Sequence, residues 1–264
     1  MGPLIPASNA SSAVILGYHA IQHGGSAAGQ TKKQAFYTVD TRNFEAHLDL
    51  LRRVGCACCL PESFLANAEN QSKAVLITFD DGHESDVTIA LPALQDRGLC
   101  ATFFVSVEYI GRSGHMNWPQ IKALSVAGMS VQSHGLLHHD LTQFSEDDVF
   151  HELRSARLCL ERNLARPVRY LALPGGFASP EVYRAAVRAG YDAVFNSAAG
   201  LAYPGRILPR FILRRETSPQ EIENIILRNR ASLFAAALRR RTSERIKALV
   251  GVRRYEALKL RLWQ

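Results

Sequence analysis

Little at the start of this sequence reads as a secretory leader. Its N-terminus, "MGPLIPASNASSAVILGYH", has no basic n-region, and the apolar stretch there is far too short to span a bilayer. The expectation from sequence is therefore a cytoplasmic protein, peripheral at the inner membrane if anything holds it there. Cysteine is scarce and odd in number: Cys56, Cys58, Cys59, Cys100 and Cys159, three of them crowded into "GCACCLPESF". Neighbours that close do not easily pair with one another, and no C-x-x-C pair elsewhere completes a zinc knuckle. The thiols read as small apolar residues in a reducing compartment. Disorder is excluded over most of the chain by its balance of 47% hydrophobic and 21% charged residues.

Excess positive charge is also missing from the body of the chain. The formal net charge is +7, but from Arg228 onward eleven Lys and Arg face only Glu244 and Glu256, which leaves the first 227 residues near −2. With no aromatic-basic platform or reader motif either, no nucleic acid is expected as a partner.

What the sequence does have is repetition. Short apolar runs bounded by turn residues recur at 13–19, 74–80, 100–107, 129–134, 168–174, 191–197 and 206–213, as buried strands do. Amphipathic helices fall between them: "TRNFEAHLDLLRRVG", with Phe44, Leu48 and Leu51 on one face and a stop at Gly55, then "DVTIALPALQDRG", "NWPQIKALSVAG", "SEDDVFHELRSARLCLERNL", and "SPEVYRAAVRAG" capped by Ser179 with Pro180 in the first turn. Alternation of this kind predicts parallel strands with helices outside them, as a barrel or an open sheet. At 264 residues the chain fits one such domain with a short appendage.

Functional groups in these folds gather at the carboxyl ends of the strands. His19, Asp80 with Asp81, His134, Pro174 with Gly175, and Arg210 all stand at or just past predicted strand ends. The adjacent acids in "LITFDDGHESD" need something to hold them against a core. Asp81 with His134 and His138 of "QSHGLLHHDL" offers one carboxylate and two imidazoles, a set suited to a divalent ion, zinc foremost, with cobalt, nickel, manganese or iron as alternatives. Asp80 is then free to take a proton as general base. A lone "DD" is usually a solvated turn and a lone H-x-x-x-H a helix surface; the two together are far more specific.

These motifs resemble a family. "TFDDG" (78–82), "SHGLLHHDL" (133–141) and "LALPGG" (171–176) followed by "AGYDAVFNSAAG" are similar to the successive motifs of the polysaccharide deacetylases, the NodB-homology or carbohydrate esterase family 4. With "ILGYHAI", "FEAHLDLLRR", "ATFFV", "NWPQIKALSVAGMSVQSH" and "ILPRFIL", the resemblance covers about residues 13–215. It implies an α/β fold, a distorted (β/α)7-type barrel, that hydrolyses acetyl groups from N-acetylated carbohydrate with a metal's help. By position it makes Asp80 the general base and Asp81, His134 and His138 the metal ligands, with Pro174 and the backbone N–H of Gly175 on the substrate side.

Two departures from the family pattern matter. Its third motif usually reads Arg-x-Pro-x-Gly, the Arg orienting the catalytic Asp, but Ala172 stands there and Gly175 replaces the common aromatic. Arg210 is the expected substitute, with Arg169 second. The late Leu-x-x-His motif is missing as well, since no His follows His151. "GYHAI" resembles the amino-terminal His-bearing strand of the poly-N-acetylglucosamine deacetylase branch, which makes His19 the expected general acid; the alternative for a lone His in an apolar strand is a hydrogen-bonded core residue. His139 reads as a replacement for a Pro common in that motif. His83 reads as a loop residue within reach of a sugar or of none. His23, His47, His115 and His151 read as surface, and Trp118 as helix-start packing.

The expected domains are a catalytic unit over 12–226 and a basic helical tail over 227–264. The tail's Ile246, Leu249, Val250, Val252, Tyr255, Leu258 and Leu262 give an apolar face beside many cations. Such a helix can lie on an anionic membrane surface or dock on the barrel. Two alternatives to sugar deacetylation stay open from sequence: hydrolysis of another amide, such as a formamide on a lipid-linked sugar, and a non-catalytic carbohydrate-binding or scaffold protein, suggested by Ala172.

Overall fold

The computed structural model describes residues 12–24, 31–66 and 73–229. The basic tail from residue 230, with its expected helix, lies outside the described residues. Among those residues no helix is long and apolar enough to cross a membrane.

The strands along the main path of the sheet are β1 (Ala13–Tyr18), β2 (Ala74–Phe79), β3 (Thr102–Val105), β4 (Ser130–Ser133), β5 (Tyr170–Ala172), β6 (Ala193–Asn196), β7 (Ile207–Pro209) and β8 (Phe211–Ile212), with Ala57–Cys58 pairing beside β2. They pair in the order β7-β6-β5-β4-β3-β2-β1-β8, every neighbour parallel. The two ends of this sheet are consecutive in sequence, joined through Arg210 alone. The expected strand 206–213 is thus not continuous: it bends at Arg210, pairing with β6 before the bend and with β1 after it, and so nearly closes the barrel.

Alternation along each strand separates two apolar layers. Val14, Leu16, Tyr18, Val75, Ile77, Phe79, Phe103, Val105 and Val131 face outward into one core with the helices. Ala13, Ile15, Ala74, Leu76, Phe104, Tyr170, Ala172, Phe195 and Leu208 fill the barrel interior with Phe64. Side chains two residues apart share a face, so continuing the inner register past the last apolar layer leads to His19, Asp80, His134 and Arg210. The fold therefore delivers four chemically active side chains to one end of the barrel from four different strands.

Helices α1 (Thr41–Arg53), α2 (Leu91–Gln95), α3 (Trp118–Val126), α4 (Glu146–Leu164), α5 (Pro180–Arg188) and α6 (Pro219–Ile226) pack outside, beside short helices at Lys32–Tyr37 and Pro61–Ala66. Ser145 caps α4 by accepting from Asp148 N, with Glu146, Asp147 and Asp148 in the first turn, where the helix dipole favours acids. Helix α1 buries Phe44, Leu48 and Leu51 as its spacing predicts; full burial of each contributes about 1.5–3 kcal/mol. It also buries His47, contrary to the surface reading. His47 is fully enclosed, with Nδ1 3.2 Å from Tyr18 Oη and Nε2 3.0 Å from Thr217 O. A carbonyl can only accept, so Nε2 carries the proton and Nδ1 accepts from Tyr18. The segment expected to be one helix at 86–98 begins instead as a π turn over Asp86–Ala90, with Leu91 N reaching back to Asp86 O. Pro92 follows immediately and cannot donate, and the ladder shifts register just before it.

Candidate active site

Asp80 follows β2 by one residue, its backbone N–H bonded to Tyr18 O at 3.0 Å. Its carboxylate is gripped by Arg210 through two parallel bonds, Nη1 to Oδ1 at 2.7 Å and Nη2 to Oδ2 at 2.8 Å. Arg210 is itself wholly buried, donates to Thr78 Oγ1 and Asn196 O, and lies 5.5 Å over the Phe104 ring. The planar guanidinium fits a carboxylate two bonds at a time. Burial pushes the Asp80 carboxyl pKa up, but Arg210, His134 and His19 outweigh it and hold it below the usual carboxylate range. Arg169 plays no part here, since it pairs with Asp192 at the surface.

Asp81 would face away from Asp80 if the strand simply continued. It takes φ 74° instead, followed by Gly82 at φ 78°, and this left-handed pair turns its carboxylate into the same pocket. A Cβ on Gly82 would come within 3.2 Å of Val105 Cγ1, so both the conformation and the space favour glycine. Asp81 Oδ1 lies 3.3 Å from His134 Nε2 and 3.0 Å from His138 Nε2. That oxygen is buried, yet it has no hydrogen-bond partner among the described residues.

That combination is a test of metal fit. His134 Nδ1 lies 2.9 Å from Ala172 O, so it donates there and leaves the Nε2 lone pair aimed at Asp81. Lone pairs of an imidazole and a carboxylate repel unless a proton or cation stands between them. Bonds of about 2.0–2.2 Å to a tetrahedral ion put neighbouring ligand atoms roughly 3.3 Å apart, close to the separations found, and the ligand atoms of all three residues lie within 4.8 Å of one another. The residues fit a divalent ion. Burial raises the Asp81 pKa, and hydrogen bonds from protonated His134, His138 and His83 would carry it well below the usual value, the same pull that a cation in the gap exerts. His134 moves upward, its burial more than offset by Asp80 and Asp81.

His19, one residue past β1, packs against Tyr37 with ring centroids 4.9 Å apart, and its buried Nδ1 has no hydrogen-bond partner among the described residues. Burial lowers its pKa, opposed in part by the Asp81 and Asp80 carboxylates. Pro174 is buried, and Gly175 after it is exposed with φ 64°. A Cβ on Gly175 would fall 2.6 Å from the Phe177 ring, so an aromatic two residues downstream covers the place where the family motif carries its own.

Of the other histidines, His23, His139 and His151 are exposed, whereas His115 is half-buried rather than on the surface. It stacks between His83 and Tyr109 at 4.8 and 4.7 Å, and Tyr109 in turn lies 5.2 Å from the His138 ring. His83 turns its Nε2 to within 3.6 Å of Asp81 Oδ2. Sequence reasoning missed Tyr37, Tyr109 and Phe177, none of which has a spacing that marks it. It also passed over Glu152, although a carboxylate three residues after Val149 and four before Ala156 lies on the apolar stripe of α4. All five cysteines are free thiols.

Parallel strands, helices outside, and a carboxylate–imidazole triad beside an Arg-held Asp together make up the candidate site. Residues 67–194 match the sequence profile of the polysaccharide deacetylases. Peptidoglycan-N-acetylmuramic acid deacetylase PdaA of Bacillus subtilis (strain 168) is 31% identical over 139 residues, 52% of this chain and 50% of PdaA. YxkH of the same organism is 27% identical over 192 residues, 71% of this chain and 65% of YxkH, so the chain spans between half and two thirds of these relatives. The deacetylase PplD of Streptococcus pyogenes, solved in complex with acetate, superposes with a TM-score of 0.72 at 26% identity over 80% of this chain and 96% of PplD. IcaB from Ammonifex degensii gives 0.69 at 27% over 82% and 96%. Residues 67–194 of the chain thus carry a polysaccharide deacetylase match, and its fold is the NodB-like barrel that the sequence resemblance implies.

Proposed function

We propose that the chain is a divalent-metal-dependent hydrolase that removes acetyl groups from N-acetylated sugars of a bacterial glycan or glycolipid. The observation that carries this reading is the pairing of a convergent Asp81–His134–His138 triad with a second carboxylate, Asp80, locked by Arg210 in the same pocket. The names of the relatives, an N-acetylmuramic acid deacetylase and a chitooligosaccharide deacetylase from Azorhizobium caulinodans, support an N-acetylated amino sugar as substrate.

A bound divalent ion supplies Lewis-acid polarisation of the acetyl carbonyl and lowers the pKa of water. Asp80, kept ionised by Arg210, accepts the proton that the attacking water gives up. The bidentate grip fixes the plane of the carboxylate, so Asp80 presents a defined lone pair to that water. His134 is held for its task by the Ala172 carbonyl, an outer bond of the kind that orients a ligating imidazole. His19 serves as the donor to the leaving nitrogen. Burial disfavours its charged form, and the proton it hands to the leaving nitrogen is the one that the attacking water gave to Asp80, passed on to His19. The Pro174–Gly175 turn faces the substrate side with its backbone N–H available to the developing oxyanion.

Arg210 also weakens the non-catalytic alternative, which rests on Ala172 leaving the base unoriented. The test is product analysis on N-acetylglucosamine oligomers, N-acetylmuramic acid glycans and N-formylated sugars with added zinc or cobalt. Acetate from the acetylated sugars is the expected product; formate alone moves the activity to the formamide alternative, and neither product overturns the hydrolase reading.

A further inference from the structure

The two imidazoles are carried on one short loop, and that loop has an unusual support. His134 has its own anchor in the Ala172 carbonyl. His138 sits at φ 48°, after Gly135 at φ 80°, so the segment between the ligands twice adopts a conformation that gains nothing from regular structure. Its carbonyls are held from one side, Gly135 O by Val107 N at 3.2 Å and Leu136 O by Glu108 N at 2.8 Å. Its N–H groups are held from the other by one side chain: Glu152 Oε1 accepts from Leu136 N at 2.6 Å and Leu137 N at 3.1 Å.

Glu152 projects from the second turn of α4, between the buried Val149 and Leu153, into space that a Cβ on Gly135 would enter, 3.0 Å from Oε1. Its other oxygen is buried with no hydrogen-bond partner among the described residues. Burial raises its carboxyl pKa, and the two loop N–H groups only partly oppose that. A carboxyl group enclosed at such a disadvantage is not explained by packing of α4, for which Leu or Met would serve better.

We infer that Glu152 is a positioning residue for His138: by tying down the N–H groups of Leu136 and Leu137 it fixes the loop so that both imidazoles meet Asp81 at one point. The inference rests on the metal reading of that triad, and its test reads metal affinity rather than turnover. Outer partners of ligating groups typically contribute about 10–100-fold in affinity. Zinc affinity by competition with a chromophoric chelator is compared for wild type, Glu152→Leu, which fills the space without an acceptor, and Glu152→Gln, which keeps one acceptor oxygen. Leu160→Ala, a buried change further along α4, serves as the control for loss of stability.

Glu152→Leu should weaken zinc about 10–100-fold, Glu152→Gln should stay within a few-fold of wild type, and Leu160→Ala should lower the melting temperature with affinity unchanged. Wild-type affinity in Glu152→Leu overturns the inference. So does equal weakening by Leu160→Ala, which would make the effect one of general stability. If Glu152→Leu does not fold, Glu152→Gln decides: weakening as large as that expected of the Leu variant counts against the acceptor role, and near wild-type affinity supports it. Absence of zinc binding by the wild-type protein would instead defeat the metal reading itself.

Discussion

Asp80 and Asp81 are neighbours in sequence, and what separates them is which partners each side chain meets. Asp80 meets a guanidinium and stays ionised; Asp81 meets two imidazole nitrogens, His134 with its lone pair toward the carboxylate, around a gap that fits a cation. Substituting Asp80 by Asn should leave zinc content at wild type while turnover falls by about 10²–10⁴, the usual range for a general base; undiminished acetate release would remove Asp80 from the mechanism. His134→Ala and His138→Ala should each lose metal retention on desalting, and stoichiometric zinc in either variant would show the ligand set to be wrong. Arg210→Gln separates ionisation from binding. Without the guanidinium, burial dominates and the Asp80 pKa rises, so activity, which needs the carboxylate, is lost at a higher pH as the solution is acidified. A single Arg partner typically accounts for about 1–3 pKa units, and the acid limb of kcat/KM should move up by that order; an unmoved limb would show that Arg210 does not set the base. Breaking a buried pair also costs about 3–5 kcal/mol of stability, measurable by urea denaturation.

At the level of elements, the closing segment does two jobs. Its bend at Arg210 lets Ile207–Pro209 pair with β6 and Phe211–Ile212 with β1, and it places the guanidinium inside the barrel. Gly17 is where this segment comes closest to β1: a Cβ there would stand 2.7 Å from Ile212 Cδ1 and 3.8 Å from Arg210 Nη1. Gly17→Ala should destabilise by about 1–3 kcal/mol through overpacking, read from the urea midpoint, whereas an unchanged midpoint would mean that the seam yields freely. The strand ends are legible in sequence because apolar runs, period and turn residues all agree there, and His19, Asp80, His134 and Arg210 follow from that reading. The break at Arg210 is not, since "RILPRFIL" has the apolar content of one strand and only closure of the sheet shows why it bends. The π turn before Pro92 and the left-handed Asp81 and His138 leave no periodic trace either. Glu152 leaves one, an acid on an apolar stripe, but its purpose depends on a loop sixteen residues earlier.

For the molecule as a whole, histidine burial links stability to acid. His47 reads as a surface residue in sequence because its neighbours on α1 alternate in polarity; its enclosure depends on Tyr18 and on Thr217, far away in sequence. Burial lowers its pKa to about 4. The unfolded chain takes up a proton near the ordinary value of about 6.5, the folded one near 4, so between these the unfolded state binds more protons and stability falls as pH falls. The loss attributable to His47 is roughly 3 kcal/mol by pH 4, and His47→Gln should flatten the dependence of urea stability between about pH 6.5 and 4. A slope identical to wild type would assign it to other groups.

The central claim is that this barrel releases acetate from a sugar with a metal held by Asp81, His134 and His138. Acetate released from N-acetylglucosamine oligomers is therefore to be measured on one preparation as purified, after chelation and desalting, and after return of one equivalent of zinc or cobalt. The account predicts release that disappears with the ion and returns with it, and no return in His138→Ala. Undiminished acetate from protein shown to be free of metal would contradict it.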